Sequence, residues 1–142
     1  MKVLGFNLTK ITAEREVEFK QGPIQLNIDF VEVDKDKVEI LKDNEVIKVN
    51  FEFTINYKES KDLKSKNLAS LKFGGIILLS SGKEETKEIL KSWKKKQLPD
   101  KLRTELFNLI IRRCSAKALT LEEDLSLPYH IPIPRVNVEK QE

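Results

Sequence analysis

The stretch VIKVNFEFTINY, residues 46–57, decides the fold. Its odd-numbered positions are apolar or aromatic from Ile47 to Tyr57, and its even-numbered positions are polar from Lys48 to Asn56. Because successive side chains of a strand point to opposite faces, this alternation predicts a strand with one buried face. Such a strand needs hydrogen-bonding partners on its edges and a cover over its apolar face.

The segments before this strand predict further strands. Residues 3–19 are rich in β-branched and aromatic residues without a clean alternation, which predicts a long, bent strand. After Gly22-Pro23, a row of alternate apolar residues starts at Ile24 and changes parity after Phe30. A bulge near Phe30, which inserts one extra residue, would explain the change.

Polar stretches divide this part of the chain. Residues 34–37, DKDK, interrupt the apolar row, so we predict that residues 38–41 form a separate short strand. Residues 42–45 predict a tight turn into the central strand, and residues 58–66, KESKDLKSK, predict a solvated connection after it. These strands are expected to form an antiparallel meander.

A further strand is predicted for LASLKFGGIILLS, residues 68–80. Its odd positions form an apolar row, and its last part is apolar on both faces. The pair Gly74-Gly75 lies inside this segment. Because glycine weakens a strand and carries no side chain, the pair predicts a bulge, a sharp twist or a close approach of another backbone.

Two helices are predicted after the strands. Ser81 and Glu84 have the spacing of a capping box at the start of a helix over about 82–96. Pro99 predicts the start of a second helix over about 99–123, because proline is tolerated in the first helical turn. The apolar residues of the second helix cover more than one stripe, so we expect contacts with the sheet and with another subunit.

The predicted elements define a fold class. Three prolines within residues 128–134 predict an extended tail over 125–142. The whole pattern predicts an α+β fold, in which a four- to five-stranded, meander-like antiparallel sheet of long, bent strands is covered on one face by two C-terminal helices. We expect residues 1–142 to form a single domain, with the strands over about 3–80.

Composition narrows the classes of function. The chain has 26 basic and 23 acidic residues, and this balance says little about partners. Between Lys83 and Lys117, 11 basic residues face 5 acidic ones, so the basic character is concentrated in the predicted helices. A single cysteine excludes an internal disulfide, and no run approaches the roughly 20 apolar residues of a membrane span. We expect a soluble, cytoplasmic protein.

Three short motifs have a characteristic order. KFGGII at residues 72–77 contains the glycine pair, Leu98-Pro99 leads into the second helix, and LSLP at 125–128 begins the tail. This order resembles the SecB-like family of export chaperones, as a distant, archaeal-type member, with a likeness over about residues 6–138. The resemblance implies a protomer that associates through its sheet edges and long helix and that holds unfolded chains in apolar grooves.

Few residues are candidates for catalysis. A nucleophile–base pair would have to join Cys114 to His130, because the chain has no other histidine, and no third, orienting residue is indicated. Glu14, Glu16 and Glu18 alternate along a predicted strand, which we interpret as an exposed face. The chain lacks the paired-ligand spacing of metal sites. We therefore expect no enzymatic activity, no metal and no cofactor.

The leading hypothesis is ATP-independent binding of unfolded or extended polypeptides by a homo-oligomer, a SecB-like holdase in protein export or folding. The alternatives are an adaptor or structural subunit that binds one folded partner, and a weak nucleic-acid binder that uses the basic helix. We interpret that helix as a solvated face, because glutamates share it with the lysines. The candidate residues for peptide contact are Phe19, Phe30, Trp93, Phe107, Tyr129 and Ile131.

Overall fold

The chain forms an antiparallel sheet followed by two helices. The computed structural model describes residues 2–41, 44–62 and 64–138. In chain order the elements are β1 (Lys2–Arg15), β2 (Ile24–Leu41), β3 (Asn44–Lys58), β4 (Asn67–Gly82), α1 (Lys83–Trp93) and α2 (Asp100–Asp124). The predicted α+β class, with a four-stranded sheet and two C-terminal helices, is confirmed.

The strands lie in the order β1-β4-β3-β2, and every neighbouring pair is antiparallel. β2, β3 and β4 form the predicted meander. β1 pairs with the outer side of β4, so that β3 and β4 are central and β1 and β2 are the edges. The chain between β1 and β2 must therefore cross from one edge of the sheet to the other.

This crossover, residues 16–23, passes the ends of the two central strands. The Glu16 amide donates to a β4 carbonyl, and the Lys58 amide donates to the Pro23 carbonyl, both at 2.8 Å. A Cβ atom on Gly22 would lie 2.3 Å from the Lys58 carbonyl oxygen, so only glycine fits at this crossing. The first strand is shorter than predicted, because its last predicted residues belong to the crossover.

β2 is unbroken. The predicted interruption at residues 34–37 and the separate strand after it are wrong. Asp34 lies opposite Lys48 in the register with β3, and Lys35 Nζ lies 2.7 Å from Glu45 Oε1. Polar residues are tolerated here because β2 is an edge strand with access to water, and opposite charges face each other across the pair.

Two predictions about irregular strand geometry are confirmed. The register of β2 against β3 shifts after Phe30 and leaves Val31 without a partner, which is the predicted bulge. The glycine pair marks a close approach: a Cβ atom on Gly75 would lie 2.6 Å from the Asn7 carbonyl oxygen and 2.7 Å from Phe51 Cζ. Gly75 thus lets β1 and an aromatic side chain of β3 approach the same point of β4.

The helices cover the apolar face of the central strands. From residue 47 onwards the odd-numbered residues of β3 are at most 2% exposed: Ile47, Val49, Phe51, Phe53, Ile55 and Tyr57. Phe73 of β4 lies opposite Phe53 on the same face, and Leu106 and Ile110 of α2 belong to the same cluster. Burying each such side chain is worth roughly 1.5–3 kcal/mol. The opposite face of β3 carries its polar, half-buried residues.

The start of α1 differs from the prediction. Its N-cap residue is Gly82, without a side-chain cap, so the predicted capping box is wrong. The Ser81 hydroxyl instead lies 2.6 Å from the Thr86 hydroxyl, which donates to the Gly82 carbonyl at 2.9 Å. Ser81 is still paired within β4, which removes it from the N-cap position.

α2 buries a row of residues spaced by four: Leu102, Leu106, Ile110, Cys114, Ala118 and Glu122. Phe107, Leu109 and Ile111 are half-buried beside this row, as expected of a broad apolar sector. The tail after α2 is not helical between residues 125 and 138. Parts of the predicted turn at 42–45, connection at 58–66 and tail at 125–142, namely residues 42, 43, 63 and 139–142, lie outside the described residues.

Candidate functional site

Phe30 and Phe107 are the two predicted contact residues that the fold brings together. Their rings stack, with 5.3 Å between the centroids and 7° between the planes. Both side chains are half-buried, and Phe30 packs against the core. The pair therefore connects the edge strand β2 with α2, and its role in peptide contact stays a prediction.

Phe19 and Trp93 lie elsewhere. Phe19, in the crossover, meets the Tyr57 ring edge-on, with 6.2 Å between the centroids. Trp93 ends α1, and Lys96 Nζ lies 5.2 Å from the centroid of its ring. The ring of Trp93 is thus already in contact with a cation of the same chain.

Tyr129 and Ile131 lie in the tail. The Tyr129 hydroxyl donates to Glu123 at 2.5 Å, and this hydrogen bond raises the pKa of Tyr129. Ile131 is half-buried. Among the described residues, Phe30 and Phe107 alone of the six candidates have their rings in contact, so the six do not form one aromatic surface.

The two edge strands present backbone and apolar side chains together. Each edge strand has a strand partner on one side within the described ranges, so the other row of N–H and C=O groups is open to pairing. Apolar side chains along both edges are 40–57% exposed: Val3, Leu4 and Ile11 on β1, and Leu26 and Val31 on β2. Sequence periodicity alone could not show which apolar residues stay accessible.

The two edges carry opposite charge. β1 has three basic residues and one acidic residue, whereas β2 has two basic residues and five acidic ones. Glu32 and Asp34 of β2 lie close enough for a hydrogen bond with Asp34 to raise the pKa of Glu32. The sheet therefore has a basic edge at β1 and an acidic edge at β2.

A groove of about 350 Å³ lies between the basic edge and α2. We call it the β1–α2 groove; its lining residues are Val3, Leu4, Gly5, Phe6, Leu109, Arg112 and Arg113. The Arg113 guanidinium lies 5.3 Å from the centroid of the Phe6 ring, which in turn lies 5.3 Å from that of Phe51 in the core. The groove thus has an apolar floor and two guanidinium groups, and none of the described residues that line it is acidic.

A buried polar network, which sequence reasoning missed, holds the tail. The Glu122 side chain is fully buried on α2. Its carboxylate accepts hydrogen bonds from the Tyr57 hydroxyl and from the His130 amide at 2.9 Å, and it lies 2.8 Å from His130 Nδ1. The Tyr57 hydroxyl also lies 3.1 Å from the Pro128 carbonyl. Burial, followed by the hydrogen bond to Glu122, raises the pKa of Tyr57 far above its usual range.

The network also has the atom order of a hydrolase relay. Ser115 Oγ lies 3.2 Å from His130 Nε2, and His130 Nδ1 lies 2.8 Å from Glu122 Oε1. A serine nucleophile additionally requires substrate access and oxyanion donors. Ser115 is 9% exposed and lies inside α2, where backbone amides donate within the helix. The arrangement therefore attaches the tail to α2, and the backbone amides around Ser115 are not available as oxyanion donors.

A nucleophile–base pair would have had to join Cys114 to His130, an arrangement that the sequence did not indicate. His130 Nε2 instead lies beside the hydroxyl of Ser115, the neighbour of Cys114 in sequence. Cys114 is fully buried in the core cluster, and burial raises the pKa of its thiol to about 11. A neutral thiol at that depth is a packing group.

One sequence signal could have revealed Glu122. The buried row of α2 repeats every four residues from Leu102, and position 122 is its next member after Ala118. An acidic residue in a buried row requires a polar partner. The single histidine of the chain, eight residues further on, was the available candidate.

The described residues form neither a cluster of metal ligands nor a membrane-spanning helix. Within 2–41, 44–62 and 64–138, no group of three or more His, Cys, Asp or Glu side chains is placed to hold a metal ion. No helix of the described chain combines the length and apolar character needed to cross a bilayer.

Comparisons with known proteins give a distant structural likeness. No family model matches the chain, and no curated protein matches it. One solved structure that resembles it is from Mycobacterium tuberculosis, Rv1957 in complex with a ChAD peptide from the Rv1956 HigA1 antitoxin. That protein is a SecB-like chaperone. The alignment covers 99% of this chain and 92% of that chain, with 14% sequence identity and a TM-score of 0.45. At these values the likeness carries no argument about function.

Proposed function

We propose that this protein binds unfolded or extended polypeptides without nucleotide and without catalysis. The observation that carries the proposal is the open edge of β1 beside an apolar groove. An extended segment can pair with the free N–H and C=O groups of an edge strand while its side chains enter neighbouring apolar space. Backbone pairing of this kind reads no particular sequence, which suits a protein with many clients.

Exposed side chains at the edge support this proposal. Val3, Leu4 and Ile11 of β1 are each 40–43% exposed, in a fold whose central strands bury the apolar side chains of one face. Apolar side chains beside unpaired strand edges favour association, so natural proteins protect or use them. Bulges at Leu4 and Thr9 interrupt the register of β1 with β4, whereas residues 10–15 stay in continuous register.

The proposal extends to the family, the pathway and the oligomeric state of the protein. The sequence resemblance favours a distant, archaeal-type member of the SecB-like family, with a role in protein export or folding in the cytoplasm. Homo-oligomerisation would cover part of the exposed edges. The six candidate residues remain proposed contacts, with Phe30 and Phe107 as one joint element.

The test is suppression of aggregation. Light scattering of a chemically unfolded model substrate is followed with and without the protein, at matched subunit concentration and without nucleotide. We expect suppression that persists in moderate salt, together with a complex that can be isolated by gel filtration. Failure to suppress any of several substrates would overturn the proposal.

A matched pair of variants connects the activity to the edge. Leu4→Ser removes an apolar side chain from the β1–α2 groove, whereas Val17→Ser removes one that is 93% exposed in the crossover. We expect weaker suppression with Leu4→Ser and unchanged suppression with Val17→Ser. Tight binding of one folded protein at fixed stoichiometry, without suppression, would instead establish the adaptor function.

A further inference from the structure

We infer that the β1–α2 groove selects extended segments that carry acidic side chains among apolar ones. This inference rests on the proposed function and names the chemistry of the segment that this edge prefers. The occupant is a polypeptide strand, added along β1, with a carboxylate directed at Arg112 and Arg113.

The two arginines are available for such a contact. Neither Arg112 nor Arg113 has a carboxylate within 4 Å in the described part of the chain, whereas Arg103 of the same helix is paired with Asp100 at 2.8 Å. Arg113 lies over the Phe6 ring, a contact that orients a guanidinium while leaving its N–H edge free. Guanidinium groups bind carboxylates with directed, charge-assisted hydrogen bonds.

The geometry of β1 places a strand beside these groups. From Lys10 to Arg15 the register with β4 is continuous, which provides a regular edge of six residues. The groove lies at the other end of the same strand, around residues 3–6. At about 3.3 Å per residue, a segment of roughly ten residues spans both.

Charge separates this edge from the other one. An acidic segment is attracted to β1, with its excess of basic residues, and is repelled by β2, where acidic residues predominate. Like charges that face each other across paired strands are destabilising. The sheet therefore has two open edges, and an acidic segment should bind at the basic edge, β1, rather than at the acidic edge, β2.

The test uses labelled twelve-residue peptides with the same alternating apolar residues and two variable positions near one end. These positions carry Glu, Gln or Lys, and affinity is measured by fluorescence anisotropy at low and moderate salt. We expect the Glu peptide to bind about tenfold more tightly than the Lys peptide at low salt, with Gln between them. A Glu peptide N-methylated at alternate residues should lose binding, because it cannot pair as a strand.

Arginine variants test whether the preference for the Glu peptide arises in the β1–α2 groove. The double variant Arg112→Gln and Arg113→Gln should bring the three peptides to equal affinity, whereas Arg103→Gln, on the same helix but paired with Asp100, should leave the preference unchanged. Urea unfolding of each variant checks that the fold is retained.

Several results would contradict a preference of the β1–α2 groove for acidic segments. Equal affinities for the three peptides in the unmodified protein would overturn it, while continued suppression of aggregation would leave the proposed function standing. Effective competition by a single-stranded oligonucleotide would show a general anion surface instead. A stable dimer in which Leu4 is protected from solvent would show that a second copy covers the edge. Loss of both peptide binding and suppression would remove the proposed function itself.

Discussion

His130 binds Glu122 through two separate groups. The His130 backbone amide donates to Oε2 at 2.9 Å, and its Nδ1 atom lies 2.8 Å from Oε1. One carboxylate on a helix therefore fixes both the path of the tail and the orientation of the imidazole. With Tyr57 from β3 on the same carboxylate, the contact joins sheet, helix and tail at a single buried point.

Loss of this carboxylate should destabilise the fold and free the tail. Glu122→Ala leaves the buried His130 amide without its partner, and we expect a loss of about 2–4 kcal/mol in the free energy of unfolding, measured with urea. Proteolysis within residues 125–138 should become faster. Asp124→Ala, which removes an exposed carboxylate at the end of the same helix, should change stability by less than about 0.5 kcal/mol. Equal effects of the two variants would contradict a structural role for the network.

Ser115 should not behave as a hydrolase nucleophile. Although its distance to His130 suits proton transfer, its place inside α2 provides no oxyanion donors. We expect no labelling by a fluorophosphonate probe, detected by mass spectrometry, under conditions that fully label a known serine hydrolase. Labelling that disappears in both Ser115→Ala and His130→Ala would show that the relay is catalytic.

The Cys114 thiol and the Tyr57 hydroxyl should make the folded protein less stable at alkaline pH. Burial raises the pKa of the Cys114 thiol from 9.0 to about 11, and burial with the Glu122 hydrogen bond raises that of Tyr57 above 10.0. Each group stays neutral in the folded protein at a pH where the unfolded chain ionises. Their contribution is therefore complete below about pH 9 and declines as pH rises through the folded pKa, by at most about 1.4 kcal/mol per pH unit and group.

The measurement is urea unfolding of the reduced protein from pH 8 to pH 10.5. Cys114→Ala should have a flatter stability profile between pH 9 and 10.5 than the unmodified protein, and Tyr57→Phe should be flatter only above about pH 10. A profile with the same slope in all three proteins would contradict this origin of the pH dependence.

Gly75 should tolerate no side chain. In Gly75→Ala the new methyl group would meet the Asn7 carbonyl and the Phe51 ring at less than 3 Å, and relief requires a shift of β1 or of a core aromatic ring. We expect a loss of about 1–3 kcal/mol in the free energy of unfolding. Gly82→Ala is the matched control, because nothing lies within 4 Å of its Cβ position. A neutral Gly75→Ala would mean that β1 is not held against β4 at this point.

The sequence by itself determined the features that depend on neighbouring residues. Alternation over residues 46–57 placed the apolar row of β3 on one face because side-chain direction in a strand has a period of two. The parity change after Phe30 predicted a bulge, and the glycine pair predicted a bulge, a sharp twist or a close approach, of which the structure shows the close approach. The polar run at residues 34–37 misled the prediction, because an edge strand tolerates polar residues that a central strand would exclude.

Tertiary structure decided the rest. Local pattern does not say that β1 joins the far side of β4, because the crossover fits many pairings and only burial of the whole sheet selects one. The same holds for Glu122: its position in a buried row was visible, but Tyr57 and His130 come to it from distant parts of the chain. The β1–α2 groove likewise exists only where two elements about 100 residues apart in sequence meet, and within the described residues the fold leaves no carboxylate within 4 Å of its two arginines.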